Sequence, residues 1–299
     1  MLFWHSMCLI DPVILKGLTL MRKTIIAASL ATVAGLAAPM LSIAAEQSPH
    51  TITGNASIVS DYRFRGITQT YAKPALQGGI DYSHASGLYL GNWNSNVNEG
   101  AGFPAGNLEM DFYGGYKQAW GDFGIDVGAI YYAYPGSDAS IAAGTGPLVN
   151  PRNGKTHTGA ISNTELYIGG SWKWLSLKYS QSTSDYFSLP DTKGSSYLDL
   201  TGNYDLGGGW TLVGHVGSFK LKGWSTGAVG TNANYTDWKL GVTKDYNGWL
   251  LGAAYIDTNA KGSCSKGEFY CFSNQAPFAP SSMRDAGKGT VVLSVSKSF

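Results

Sequence analysis

The sequence predicts an all-β, antiparallel transmembrane β-barrel of about 12 strands with both termini periplasmic. Three observations point to it: period-two alternation of apolar and polar residues in segment after segment, connections sorted into short and long, and an unusual composition. Charged residues make up 14% of the 299, aromatics 13%, and 40 residues are glycine. Soluble domains average about a quarter charged and about 7% glycine. A mean hydropathy of −0.08 excludes a bundle of membrane helices. Barrel strands with one oily and one wet side dilute their hydrophobicity in this way.

The clearest element is the last. In Thr290–Phe299, Val291, Leu293, Val295 and Phe299 fall on one face, and Thr290, Ser294, Ser296 and Ser298 on the other, which marks a half-buried strand. An unpaired terminal edge is a liability, so this strand is expected to close onto the first, near Thr51 to Arg65. Before that first strand, residues 21–45 have the layout of a secretory signal peptide: basic Arg22 and Lys23, an apolar alanine-rich stretch from Ile25 to Leu41, and small residues for cleavage near Ala44. Residues 1–20, with Asp11 and Pro12, fit no signal and read as an upstream mis-start. Residues 46–299 then form one barrel domain. Removing 1–45 leaves 18 basic and 19 acidic residues, a net charge of −1, so no global field points to nucleic acid.

Ten further segments alternate between these two. Facing pairs include Leu76, Ile80 against Gln77, Asp81; Leu108, Phe112 against Glu109, Asp111, Lys117; and Phe123, Ile125 against Asp126. Further along come Leu166, Ile168 against Glu165; Leu177, Tyr179 against Lys178; Leu198, Leu200 against Asp199; and Trp238, Leu240 against Asp237, Lys239. The third segment (Leu88–Ser95) and the eleventh (Trp249–Tyr255) leave their facing open. In the first segment, Tyr62 and Phe64 are read on the oily face, and Asp61, Arg63 and Arg65 on the wet one. Connections after even segments are very short, as at Asn247-Gly248, a hairpin signal. Those after odd segments are longer, and two of them, roughly 134–162 and 257–289, are far longer than ordinary loops. Sorting by parity, with an even strand count, fits a bacterial outer-membrane barrel with short periplasmic turns and long outer loops. Aromatics fit too. Tyr82, Tyr116, Phe123, Trp172, Trp174, Tyr204, Trp210, Tyr246, Trp249 and Phe299 gather at the short-turn level, and Tyr62, Phe64, Tyr131, Tyr179 and Tyr255 at the other, as interfacial girdles do.

From Thr51 onward the chain resembles the TorF-type porins of proteobacteria. The likeness is carried by the block Ser60–Thr70, by Pro74–Tyr82, Gly87–Gly91 and Glu109–Tyr116, and by the serine-rich end at Phe299. It covers nearly all of the mature chain and implies an outer-membrane barrel with a pore, without catalytic residues. The expected partners are outer-membrane lipid, the barrel-assembly machinery during insertion, and small solutes or ions.

The pore-lining candidates are Asp61, Arg63, Arg65, Asp81, Glu109, Asp111, Lys117, Asp126, Glu165, Lys178, Asp199, Asp237 and Lys239. They comprise eight acids and five bases, a net −3 that favours cations in a narrow passage. Arg63 and Arg65 opposite Glu109 and Asp111 would set a transverse field across the mouth. A lumen plugged by such pairs is the competing reading, since twelve strands fall between filled and open barrels. An acyl hydrolase would need a nucleophile; His215 with Ser218 is the nearest pairing, and no nucleophile motif surrounds it. A surface-binding role is the other alternative, centred on the 257–289 loop with Phe269, Tyr270 and Phe272. There Cys264 and Cys271, close together in an exported protein, are expected to form a disulfide; a zinc pair, the rival, has no histidine nearby. No P-loop, dinucleotide fingerprint or Cys/His array suggests a metal, nucleotide or redox cofactor.

Overall fold

The computed structural model describes residues 48–142, 146–224, 233–274 and 282–299; residues 1–20 and 21–45, expected to be a mis-start and a signal peptide, lie outside them. Twelve strands form one closed antiparallel barrel: β1 (His50–Val59), β2 (Ala75–His84), β3 (Leu88–Asn96), β4 (Leu108–Trp120), β5 (Phe123–Ala133), β6 (Ser162–Trp172), β7 (Leu175–Ser182), β8 (Ser196–Gly207), β9 (Trp210–Lys220), β10 (Tyr235–Tyr246), β11 (Trp249–Thr258) and β12 (Thr290–Ser298). Sequence neighbours pair throughout, and β12 closes onto β1 from Asn55↔Ser298 to Val59↔Ser294. Phe299 extends the seam: it exchanges backbone hydrogen bonds of 2.7 and 3.0 Å with Gly54, and its ring lies where a Gly54 side chain would stand. Helical structure among the described residues is limited to short 3-10 turns.

Alternation decides which way each side chain points. Ile80, Leu166, Leu200, Leu240 and Leu293 are each more than 45% exposed on the outer wall, where only lipid makes such exposure favourable. The two undecided strands are settled. In β3, Leu88 and Leu90 face out while Tyr89 and Trp93 are buried inside; in β11, Trp249, Leu251 and Tyr255 face out. Connections at one end are two- or three-residue turns. Asn247 (φ 53°) and Gly248 (φ 79°) both take positive φ, the mirror-image turn whose twist suits a hairpin. His50 pairs with His84 beside the β2–β3 turn, so both barrel termini lie at the short-turn end. The girdle there is largely as expected, with Phe123, Trp172, Trp174, Tyr204, Trp210, Tyr246, Trp249 and Phe299 exposed outward.

One expectation fails. The first strand ends at Val59 instead of running to Arg65, so Tyr62 and Phe64 do not join the outer belt; Tyr62 is buried inside. The chain leaves the wall at Ser60 and turns inward, because Arg65 (φ 49°) and Gly66 (φ 81°) make a tight turn that pairs Arg63 with Thr68 and Phe64 with Ile67. A β-hairpin therefore hangs inside the barrel mouth. Tyr131, Tyr179 and Tyr255 remain on the outer belt.

Because lipid faces one side of the wall only, Leu240→Arg is expected to lower stability by about 2–4 kcal/mol. The same change at the inward-facing Val213 should cost less than half of that. Equilibrium unfolding by urea in lipid vesicles measures both.

Candidate functional site

The functional surface is the lumen. In its outer half the inward hairpin meets the wall. Arg65 reaches Glu165 on β6 with two parallel hydrogen bonds, Nη1 to Oε1 at 3.0 Å and Nη2 to Oε2 at 2.7 Å. From β1, strand β6 is five places round the barrel one way and seven the other, so the hairpin reaches nearly across the lumen to make this ion pair. The guanidinium carbon also lies 4.4 Å from the ring centre of Tyr197 and 4.7 Å from that of Phe64. Burial works against the charge, but the Glu165 carboxylate outweighs it and holds Arg65 protonated, its pKa above the usual guanidinium value. Arg63 donates to Asp61 at 2.7 Å and to the Gly66 carbonyl at 2.9 Å. Thr68 donates to Asp61 at 2.5 Å, and Tyr235 to the Arg65 carbonyl at 2.9 Å. A buried pair of this kind adds little net stability, yet removing one partner costs about 3–5 kcal/mol. It fixes position.

These contacts change the expected electrostatics. Arg63 and Arg65 are engaged by Asp61 and Glu165, so they do not oppose Glu109 and Asp111 to make a transverse field. Glu109 instead accepts from Tyr62 at 3.2 Å. Asp61, Arg63 and Arg65 belong to the hairpin and its approach; the other ten lining candidates, from Asp81 to Lys239, sit on inward positions of the wall.

Tyrosines lie flat across the wall, from Tyr197 near the long-loop end to Tyr89 near the short turns. Tyr113 donates to Asp81 at 2.5 Å and Tyr89 to Asp126 at 2.6 Å, while Tyr89 and Tyr167 are joined through their hydroxyls. Glycines make this possible. A side chain at Gly91 would collide with the Tyr113 ring, at Gly128 with Tyr167, and at Gly217 with Tyr197. Lys117 sits 5.4 Å from the Tyr89 ring centre and Lys178 5.5 Å from that of Tyr167. His215 bridges two acids, with Nε2 2.8 Å from Asp237 and Nδ1 3.5 Å from Asp199; Tyr197 donates to Asp237 at 2.9 Å. Ser218 has the opposite parity to His215 on β9, on the outward side with Leu212 and Val216, so the two do not meet. Sequence reading missed the tyrosine rows and the His215 bridge. The recurring inward glycines on strands next to inward tyrosines were the available signal.

At the long-loop end, Cys264 and Cys271 form a disulfide. The loop carrying it folds over the hairpin: Arg284 donates to the Tyr71 carbonyl at 2.9 Å, and Tyr71 to the Ser282 carbonyl at 2.7 Å. Among the described residues, no three His, Cys, Asp or Glu side chains are grouped to hold a metal ion.

A family model described as "Bacterial protein of unknown function (Gcw_chp)" matches residues 43–299. No curated protein sequence matches the chain. Among solved structures, the KdgM porin in complex with disordered oligogalacturonate aligns at 9% identity and a TM-score of 0.45, over 83% of this chain and 98% of that one. A Pseudomonas aeruginosa FadL homologue aligns at 12% identity and a TM-score of 0.38, over 84% and 89%. The outer-membrane-expressed OmpT of Vibrio cholerae aligns at 9% identity and a TM-score of 0.36, over 84% and 97%.

Gly217→Val, which places a branched side chain where the Tyr197 hydroxyl and Asp237 now meet, is expected to break their hydrogen bond. The expected loss is about 1–3 kcal/mol, read as a lower urea midpoint; Gly214→Val, where the glycine opens on free space, serves as the control.

Proposed function

The chain belongs to the Gcw_chp family of bacterial proteins of unknown function, and on that footing we propose that it is a porin of narrow bore. It passes small solutes or ions across the outer membrane through a weakly acidic lumen. One observation carries this reading: exposure of the lumen charges rises with depth. Beneath the hairpin, Asp61, Glu109, Asp111 and Glu165 are buried. From mid-height down, Asp81, Lys117, Asp126, Lys178, Asp199 and Lys239 are half-buried, Asp199 with 14% of its side chain exposed. Charges stay ionised at tolerable cost where an opposite charge pairs them or water reaches them. We therefore read the lower lumen as reached by water, with the hairpin as its stopper.

The stopper is held by polar contacts and by Phe64 and Ile67, which pack into the apolar clusters beside it; its withdrawal opens a path along the wall. With more acids than bases on that path, cations are preferred. Short turns face the periplasm and long loops the exterior, as in other outer-membrane barrels, and the resemblance to TorF-type porins agrees with this reading. Export through the segment 21–45 and insertion by the barrel-assembly machinery complete it. Catalysis has no part in it.

Planar-bilayer recording tests the proposal. The wild-type barrel is expected to show small, cation-preferring unitary currents. Deleting Arg63–Thr68, or replacing Glu165 by Gln so that Arg65 loses its partner, should raise conductance or open probability several-fold. Unchanged currents in the deletion variant, or anion preference, would count against a hairpin-stoppered porin.

A further inference from the structure

Above the hairpin, the loops enclose a cavity of about 270 Å³ that closing the barrel does not require. Its lining is mostly aromatic and aliphatic. Phe64 comes from the hairpin, Phe187 from the β7–β8 loop, Phe219 and Trp224 from the end of β9 and beyond, and Phe269 and Phe272 from the β11–β12 loop. An engineered apolar cavity of about 150 Å³ in another protein accepts benzene, so this one has room for a fused two-ring molecule. Glu99 and His157 also line it, and the Glu99 carboxylate disfavours an anionic ligand.

Two features hold the walls apart. Phe187 (φ 46°) and Ser188 (φ 56°) are held in the left-handed region, a strain of about 1–3 kcal/mol each that surrounding structure must sustain and that clusters at binding sites. That strain keeps Phe187 edge-on to Phe64, at 5.7 Å between centroids and 81° between planes. On the far side, the disulfide closes the segment from Cys264 to Cys271 and so constrains Phe269 and Tyr270, with Phe272 next to it. Trp224 and Phe269 meet at 71°. An aromatic lining favours another ring, since an aromatic pair contributes about 0.5–1.5 kcal/mol beyond the area it buries.

We propose that this cavity is a binding site for a small, uncharged aromatic solute of one or two fused rings. It shares Tyr186 with the stopper, whose hydroxyl accepts from Arg65 at 3.4 Å, so an occupant sits one side chain from the pin that crosses the barrel. The site does not depend on conduction, because binding and current are measured separately.

The test is calorimetric titration of the full barrel in lipid nanodiscs with indole, with empty nanodiscs subtracted. Saturable one-to-one binding is expected, at least ten-fold tighter than for indole-3-acetate or 1-octanol. Trp224→Ala and the pair Cys264→Ser with Cys271→Ser should weaken it five-fold or more. Ala142→Phe, which fills the space from the lining, should abolish it. Heat-modifiable gel migration confirms that each variant barrel is folded. No saturable signal, binding unchanged in Ala142→Phe, or octanol or indole-3-acetate binding as tightly as indole would overturn the proposal.

Discussion

A strand in hydrocarbon has nowhere to send its backbone N–H and C=O groups except to another strand, and this demand for complete pairing governs the molecule. The seam between β1 and β12 meets it with five paired positions, extended by Phe299 at Gly54. Closure then dictates the rest. Lipid outside selects Leu, Ile, Val and aromatic residues at every second position, and the alternate positions are free to carry Asp, Glu, Lys, Ser and Tyr. Twelve strands enclose more space than wall side chains fill, though less than a wide channel. What occupies that space becomes the functional question.

The occupant is a hairpin made of the same chain. Its tip is set by an Arg-Gly turn, and its place by the ion pair that Arg65 makes with Glu165 on the far wall. Such a pair is a positioning device more than a source of stability, because the cost of desolvating both charges offsets most of their attraction. Around it, hydroxyls of Thr68 and Tyr235 satisfy groups that would otherwise be stranded. The inner wall solves a similar problem with tyrosines laid over glycines: Tyr113, Tyr89 and Tyr197 each cross the intervening strand to reach a carboxylate two strands away. The charged wall is thereby kept ordered alongside the buried apolar clusters around the hairpin.

Much of this was written in local pattern. The outward set on β4 (Leu108, Phe112, Tyr116) and the inward set (Glu109, Asp111, Lys117) follow from period two alone, as does the inward placement of Asp126, Lys178, Asp199 and Lys239. Strands β3 and β11 were illegible because both faces carry apolar residues: Tyr89 and Trp93 inside the lumen resemble Leu88 and Leu90 outside it. The Cys264–Cys271 bridge was legible from spacing and export. The hairpin was not, since Tyr62 and Phe64 continue the alternation of β1 past the point where the chain leaves the wall.

By itself, then, the sequence determined closure, strand number, the facing of most strands and the sorting of turns, because these follow from the period and punctuation of the segments. Only the tertiary structure decided where the long loops go. Whether Arg65 finds Glu165 a hundred residues away, or Phe187 and Phe269 come to frame one cavity, depends on contacts between loops that no single segment encodes.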